Sequence, residues 1–536
     1  MANQFKKALD LMIWRQVAPA PNAHAAGTAM CADMRSDISR HPFVFDLIST
    51  TVLNRFNIIT KSWQTAILTP GFAAVAASAG ICFVPSFAAV GTIAAGATTT
   101  SFTLSTALPT AVGVNMLANR GGSGDYGFKI RIIDTTAGKT EERFIVGNTA
   151  GTTPTIRVDN AFTFTPATGA RYELLSGRVI VLSSGAIAAA SWRSFEVGAN
   201  TLANLGTTGL PTIATESALL VMDEQYTPFS CEPGEGMIKG TFEYDNNLVS
   251  RKALAATAAG ASSLTGQATL GDAVVAANEF RNFQIRIVQD TTTPAAVGQR
   301  RIISSHTAGP SPVYTLGTAW ATQPSASAKF VIELPNQIVL RTAANTTTYT
   351  YNYTDATQNN GTNSIAANAW STTYFGTAPG NNAAGCFWAP SFGIEPDPAR
   401  NARHSFNYFF RGGATTLDVL DIAGGTTGLW TGNITYDGAV NTFGAGTTGC
   451  YAPYGQEGRF SYVNVYVASA INQIYRFDAK NRVFSPYTPT DFIQSGTASQ
   501  GSRMAAYAAI DGTDKYDVVL LKSHLSTISQ ELICSV

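Results

Sequence analysis

A frame recurs along this chain, a tryptophan followed by a cysteine at a similar distance, and it limits the folds open to it. Trp14 is followed by Cys31, Trp63 by Cys82, Trp370 by Cys386 and Trp430 by Cys450, at spacings of 17, 19, 16 and 20 residues, and a stretched fifth pair joins Trp192 to Cys231 at 39. Five of the seven tryptophans and five of the six cysteines fall into it, so the chain is an internal repeat. Most of these cysteines lead into a proline, as in "CFVP", "CEP", "CFWAP" and "CYAP".

The copies without insertions give the rest of the unit. After "GCFWAPSFG" come "HSFNYFFRGG", "TLDVLDIAGG" and "GLWTGNI"; after "GCYAPYG" come "RFSYVNVYVAS", "QIYRFDAKN" and "RVFSPY". Each is a series of four short runs separated by Gly, Asn, Asp and Pro turns, which predicts a four-stranded antiparallel meander of about 50 residues. Such a meander cannot cover its own apolar faces, and radial stacking of several closes a propeller. Counting the fourth-strand aromatics Trp14, Trp63, Trp192, Trp370, Trp430 and Phe484 gives six blades. The last unit runs out before its tryptophan, whereas "KKALDLMIW" looks like the end of a blade with no beginning. The N-terminal strand is therefore expected to complete the C-terminal blade and remove open edges.

Two stretches break the period. "FKIRIIDTTAGKTEERFIVGNTAGTTPTIRV" starts at Phe128 and "FQIRIVQDTTTPAAVGQRRIISSHTAGPSPVYTL" at Phe283, and they align as strand, polar turn, strand, turn, strand. The organisation expected is all-β: a six-bladed propeller with two small β-module insertions. Blades occupy 1–90, 176–254 and 341–536, and the inserted modules occupy 91–175 and 255–340.

Charge excludes several partners. Only 13% of residues are Asp, Glu, Lys or Arg, and 35 basic residues balance 35 acidic ones, so no basic field is present to hold nucleic acid or an acidic membrane. No charged residue stands between Lys61 and Arg120, but the stretch is rich in Ala, Gly and Ser and is interrupted by Pro85, which favours a buried strand over a membrane span. The N-terminal run is broken by Asp10 and reads as no signal peptide.

Two resemblances add to this reading. The copy with "RGG" at Arg411 to Gly413, then "VLD", then a tryptophan, resembles a kelch-type blade. The modules, each with an "IRI" strand, a Gly-containing turn and, in the second, a "WATQP" segment, resemble ones that recur in virion proteins of tailed bacteriophages. The second resemblance implies a virion protein made in the host cytoplasm, with other virion proteins and copies of itself as partners.

Catalytic motifs are weak. "AGKT" at Ala137 to Thr140 lacks the glycine of a phosphate loop, since Ile133 stands where it should be. The five histidines give no metal-ligand spacing. No cofactor is expected, and the chain is expected not to be an enzyme. Acidic residues follow the repeated cysteine position, among them Asp33, Asp37, Glu232, Glu235, Glu395, Asp397 and Glu457, which read as loop charges at one propeller mouth. With Trp388, Tyr451 and Tyr454 nearby, Glu395, Asp397 and Glu457 form the candidate binding loops. The expected function is a structural component of a tail, neck or capsid-surface assembly, a multi-copy protein-protein scaffold. The alternative is a virion propeller that binds a host receptor or surface carbohydrate.

Overall fold

The computed structural model describes residues 80–118, 128–183, 191–196, 201–210, 217–225, 253–267, 275–342, 346–380 and 416–435, and elsewhere the strands given below with a few flanking residues. Among the described residues it is all-β, with almost no helix; a turn of 3-10 helix lies at Pro294–Ala296. Alternating apolar residues between Gly, Asn and Pro turns leave little else for the backbone to do.

Six of the sheets are four-stranded and antiparallel, each written from its first strand outward. One runs β2 (Ala29–Ala32), β3 (Phe43–Leu47), β4 (Val52–Asn57), β5 (Ser62–Ile67). Another runs β6 (Gly80–Val84), β13 (Arg178–Leu182), β14 (Trp192–Glu196), β15 (Thr201–Asn204). A third runs β16 (Ser217–Met222), β23 (Gln337–Thr342), β24 (Tyr349–Asn352), β27 (Ala369–Ser371), with the small β25 (Gln358–Asn359) and β26 (Ser364–Ile365) pair beside it. The next two are β28 (Ala383–Pro390), β29 (Phe406–Gly412), β30 (Leu417–Asp421), β31 (Leu429–Ile434), and β32 (Thr448–Tyr454), β33 (Phe460–Val467), β34 (Gln473–Asp478), β35 (Val483–Pro486). The last runs β36 (Arg503–Ala508), β37 (Tyr516–Leu521), β38 (Ser529–Cys534) and then β1 (Met12–Gln16), which pairs antiparallel with β38 from Met12 opposite Cys534 to Gln16 opposite Gln530. Each first strand touches the first strand of the next sheet, and β36 touches β2, so the six make a closed circuit.

Cys31, Cys82, Cys386 and Cys450 all lie on first strands, and Cys82 is a buried free thiol that burial pushes to higher pKa. The fifth pair of the frame needs correction. Cys231 lies outside the described residues, and the corresponding first strand, β16, carries no cysteine. Trp192 sits on β14, the third strand of its sheet, not the fourth. It is drawn one strand inward because its ring fills the space between two sheets, against Tyr351 and Trp370.

Two further strand sets lie in the chain between paired neighbours. β17 (Leu254–Gly260), β18 (Ser263–Gly266), β19 (Gln284–Gln289), β20 (Arg300–His306), β21 (Val313–Leu316) and β22 (Lys329–Glu333) form a closed six-stranded barrel in the order β19-β20-β21-β18-β17-β22 and back to β19. β7 (Ala89–Thr92), β8 (Ser101–Thr103), β9 (Lys129–Asp134), β10 (Lys139–Asn148), β11 (Thr155–Val158) and β12 (Arg171–Leu175) follow the same order, completed by a bridge between Ile93 and Leu104. The barrels join where Lys139 on β10 pairs with Gln289 on β19. Their interiors merge with the sheets: Ile130, Ile132 and Phe102 share a cluster with Phe45 and Val179, and Ile285, Ile287 and Phe330 share one with Phe409 and Leu420.

Hydrogen bonds identify the barrels as copies of one module. Asp134 takes the N–H groups of Thr136, Ala137 and Ala167, and Asp290 takes those of Thr292, Thr293 and Ser325. Arg143 lies over the Phe162 ring and donates to the Glu142 carbonyl; Arg301 lies over Trp320 and donates to the Arg300 carbonyl. Oδ1 of Asn148 accepts the Leu117 N–H at 2.9 Å, and in the second barrel Nε2 of His306 accepts the Phe280 N–H at 2.9 Å.

That last replacement makes one copy sensitive to pH. Nδ1 of His306 faces the Thr307 carbonyl at 2.8 Å and so carries the ring proton, leaving Nε2 as the acceptor. Burial, and the charge of Arg281, hold His306 below its ordinary 6.5, while the Thr307 carbonyl pulls the other way. As pH falls the unfolded chain takes the proton first, so the stability is full above the unfolded pKa and is lost below it. We expect His306→Asn, which installs the first barrel's solution, to flatten the fall in melting temperature as pH drops below 6.5. An unchanged pH profile would exclude His306 as its source.

Candidate functional site

The chemistry of this fold gathers where the two barrels meet the β16 sheet. Alternation along β9 sends Ile130 and Ile132 into the barrel interior and Arg131 out the other face, yet Arg131 is fully buried because the second barrel covers it. In β19, Ile285 and Ile287 point inward and Gln284 and Arg286 point into the same junction.

Arg131 donates to Glu142 at 2.6 and 2.9 Å, to Glu173 at 2.7 Å, and to Glu224. Arg300 forks onto Glu173 at 2.8 and 3.0 Å and onto Glu224 at 2.9 and 3.2 Å. Glu224, just beyond β16, also accepts from Gln284 at 3.1 Å and Asn336 at 3.0 Å. Arg286 pairs with Glu333, and Arg171 bridges Glu173 at 3.2 Å to Asp355 at 2.8 Å. Four arginines thus meet four glutamates, with Asp355 as a fifth carboxylate at the exposed edge. Burial alone would raise Glu173, but Arg300 and Arg131 outweigh it and hold it at about 2; the same opposition, won by Arg131 and Arg300, holds Glu224 well below the carboxylate range. Arg131 stays charged, since the surrounding carboxylates outweigh its desolvation.

The duplication explains how like modules attract. Glu142 and Arg300 stand at the same place, each just before the arginine that caps its barrel's aromatic ring. One copy presents a carboxylate where the other presents a guanidinium. Beside them Asp223 accepts from Ser86 N and Oγ at 3.2 and 2.8 Å, Gln225 N at 2.7 Å and the Tyr353 hydroxyl at 2.7 Å, which ties three segments together. This arrangement fixes positions: every carboxylate in it is already engaged, and among the described residues no group of His, Cys, Asp or Glu could hold a metal ion.

Of the residues expected at a mouth, Trp388 falls elsewhere. Trp388 is a core residue, 6% exposed, edge-on to Phe409, with its indole N–H donated to the Ala218 carbonyl at 3.1 Å, so it is not open to a ligand. Trp388, two residues after the repeated Cys386, packs from β28 toward β16, and this overrides the loop placement read from its neighbours. Tyr451 and Tyr454 lie on β32, opposite Val463 and Phe460. Glu395, Asp397 and Glu457 lie outside the described residues. Nothing in the sequence reading singled out Arg131, Glu173, Glu224 or Arg300. The available signal was an arginine or glutamate flanked by Ile, Tyr or Leu inside a strand, as in "KIRII" and "YELL", where both faces turn out to be covered.

No family model matches the chain, and no curated protein matches it. Solved structures do. A variant of AofleA from Arthrobotrys oligospora is 8% identical with a TM-score of 0.36, over 98% of this chain and 87% of that one. A variant of the NanB sialidase from Streptococcus pneumoniae is 8% identical with a TM-score of 0.24, over 97% and 98%. A variant of an α-L-arabinofuranosidase from Fusarium graminearum, in complex with an iminosugar inhibitor, is 8% identical with a TM-score of 0.23, over 78% and 96%. These propeller-like neighbours correct the expectation that the chain is not an enzyme, because two of them are a sialidase and an arabinofuranosidase. At such scores the likeness gives this chain no activity of its own.

Proposed function

We propose that the chain is a structural component of a tailed-phage virion, in a tail, neck or capsid-surface assembly, that works as a multi-copy scaffold toward other virion proteins and copies of itself. The reading takes the six four-stranded sheets as blades of a kelch-like propeller and the spans 91–175 and 255–340 as inserted modules. Arg411 and Gly412 on β29, Val419 to Asp421 on β30 and Trp430 on β31 support the kelch-like order. The observation that carries the function is the fused pair of like barrels: closed, hence without sticky edges, and joined to the β16 sheet through buried charges on Glu224. Such closed, largely polar bodies suit contacts repeated many times in a symmetric particle.

The first barrel also offers Val114 and Val146, 70% and 43% exposed, beside the hydrogen-bonded Asn115 and Asn148. We expect Val114→Glu with Val146→Glu to leave the melting temperature unchanged while abolishing self-association or incorporation into particles, read by electron microscopy of the purified chain. Normal assembly of the double variant would sink the scaffold reading at this surface. A receptor- or carbohydrate-binding propeller is the second reading, favoured if Tyr451→Ala with Tyr454→Ala blocks attachment to host cells while assembly persists.

A further inference from the structure

Next to the charge cluster a cleft of about 360 Å³ opens between the two barrels and the segment that follows β24. We propose that it binds a neutral, hydroxyl-rich ligand the size of a monosaccharide or disaccharide. Its volume is at the lower end for small-molecule sites. Phe87, Ile133 and Val297 supply an apolar floor, all three buried. Thr135 and Thr357 add exposed hydroxyls at the rim, next to the partly exposed Arg171–Asp355 pair, one a donor and the other an acceptor. A polyol suits that rim, because each hydroxyl both gives and takes a hydrogen bond. An ion suits it less, since Arg300 on the wall is neutralised by Glu173 and Glu224, and Arg301 beside it already donates to the Ala319 and Arg300 carbonyls and to Gln299.

Two local features mark the cleft as held in shape. Phe87 has φ of +58°, a left-handed conformation that is costly for a bulky residue, and it is kept there with Arg300 4.9 Å over its ring and Ser86 bonded to Asp223. Gly298 has φ of +84°, and a Cβ there would come within 2.5 Å of Ile133 Cγ2, so the wall closes only with glycine. The floor is thus formed before any ligand arrives, which lowers the cost of binding.

The test is saturation-transfer NMR on the full chain with a panel of methyl glycosides of neutral hexoses, deoxyhexoses and N-acetylhexosamines, with acetate, phosphate and methylamine as charged controls. At least one glycoside should bind saturably. Ala356→Trp, at an exposed lining position, should weaken it about tenfold or more by filling the cleft, with Thr135→Trp as a second filling variant if the first fails to fold. Asp355→Asn, which keeps an acceptor without the charge, should change it only a few-fold. Binding of the charged controls alone, no saturable glycoside, or glycoside binding that survives a folded cleft-filling variant would each overturn the proposal. None of these outcomes depends on assembly into particles.

Discussion

Glu224→Ala should cost about 3–5 kcal/mol of stability, read as a lowered denaturant midpoint, because it leaves Arg131 and Arg300 buried without one of their two shared carboxylates. The same change also strips acceptors from Gln284 and Asn336. The loss should be little altered by salt, since these charges lie away from solvent. A second change, Arg300→Met in the Glu224→Ala background, should recover part of it, as removing an unmatched charge relieves the penalty. Acid should attack the same joint. Glu173 and Glu224 are held below their ordinary 4.5, so their stabilisation is present above that pH and is lost as pH falls through the folded values. A Glu224→Ala protein with an unchanged midpoint would mean that apolar packing alone sets the barrels in place.

Trp192→Ala should cost a similar amount, about 3–5 kcal/mol, for deletion of a fully buried indole. Its ring centre lies 5.1 Å from Tyr351 and 4.9 Å from Trp370, so the variant loses both ring contacts between two adjacent sheets, while Tyr351 and Trp370 keep their own at 5.0 Å. Cys82, Ile180 and Leu340 belong to the same cluster, and the cavity would open between sheets rather than inside one. Trp192→Phe should recover much of the loss by refilling the site. An Ala variant that unfolds with the parent's midpoint would show that the rings contribute little to holding these sheets together.

Features that depend on neighbours along the chain are legible in the residues alone. Alternation and turn residues marked "FSYVNVYV" and "QIYRFD" as strands, and these pair as β33 and β34. The shared spelling of the two modules, "KIRIID" and "QIRIVQ", foretold two like strand sets, because equal sequences bond their backbones alike. Which face of a strand would be covered was beyond local reading. Arg131, between two isoleucines, looks from the sequence like an outward polar residue, and only the second barrel laid over β9 turns it into the centre of a buried cluster. Trp388 shows the converse: read as a loop aromatic, it is buried by β16 and β29. Burial is a property of two surfaces brought together, and the second surface here comes from residues far along the chain, so tertiary structure alone decided which charges joined and where a cleft was left between them.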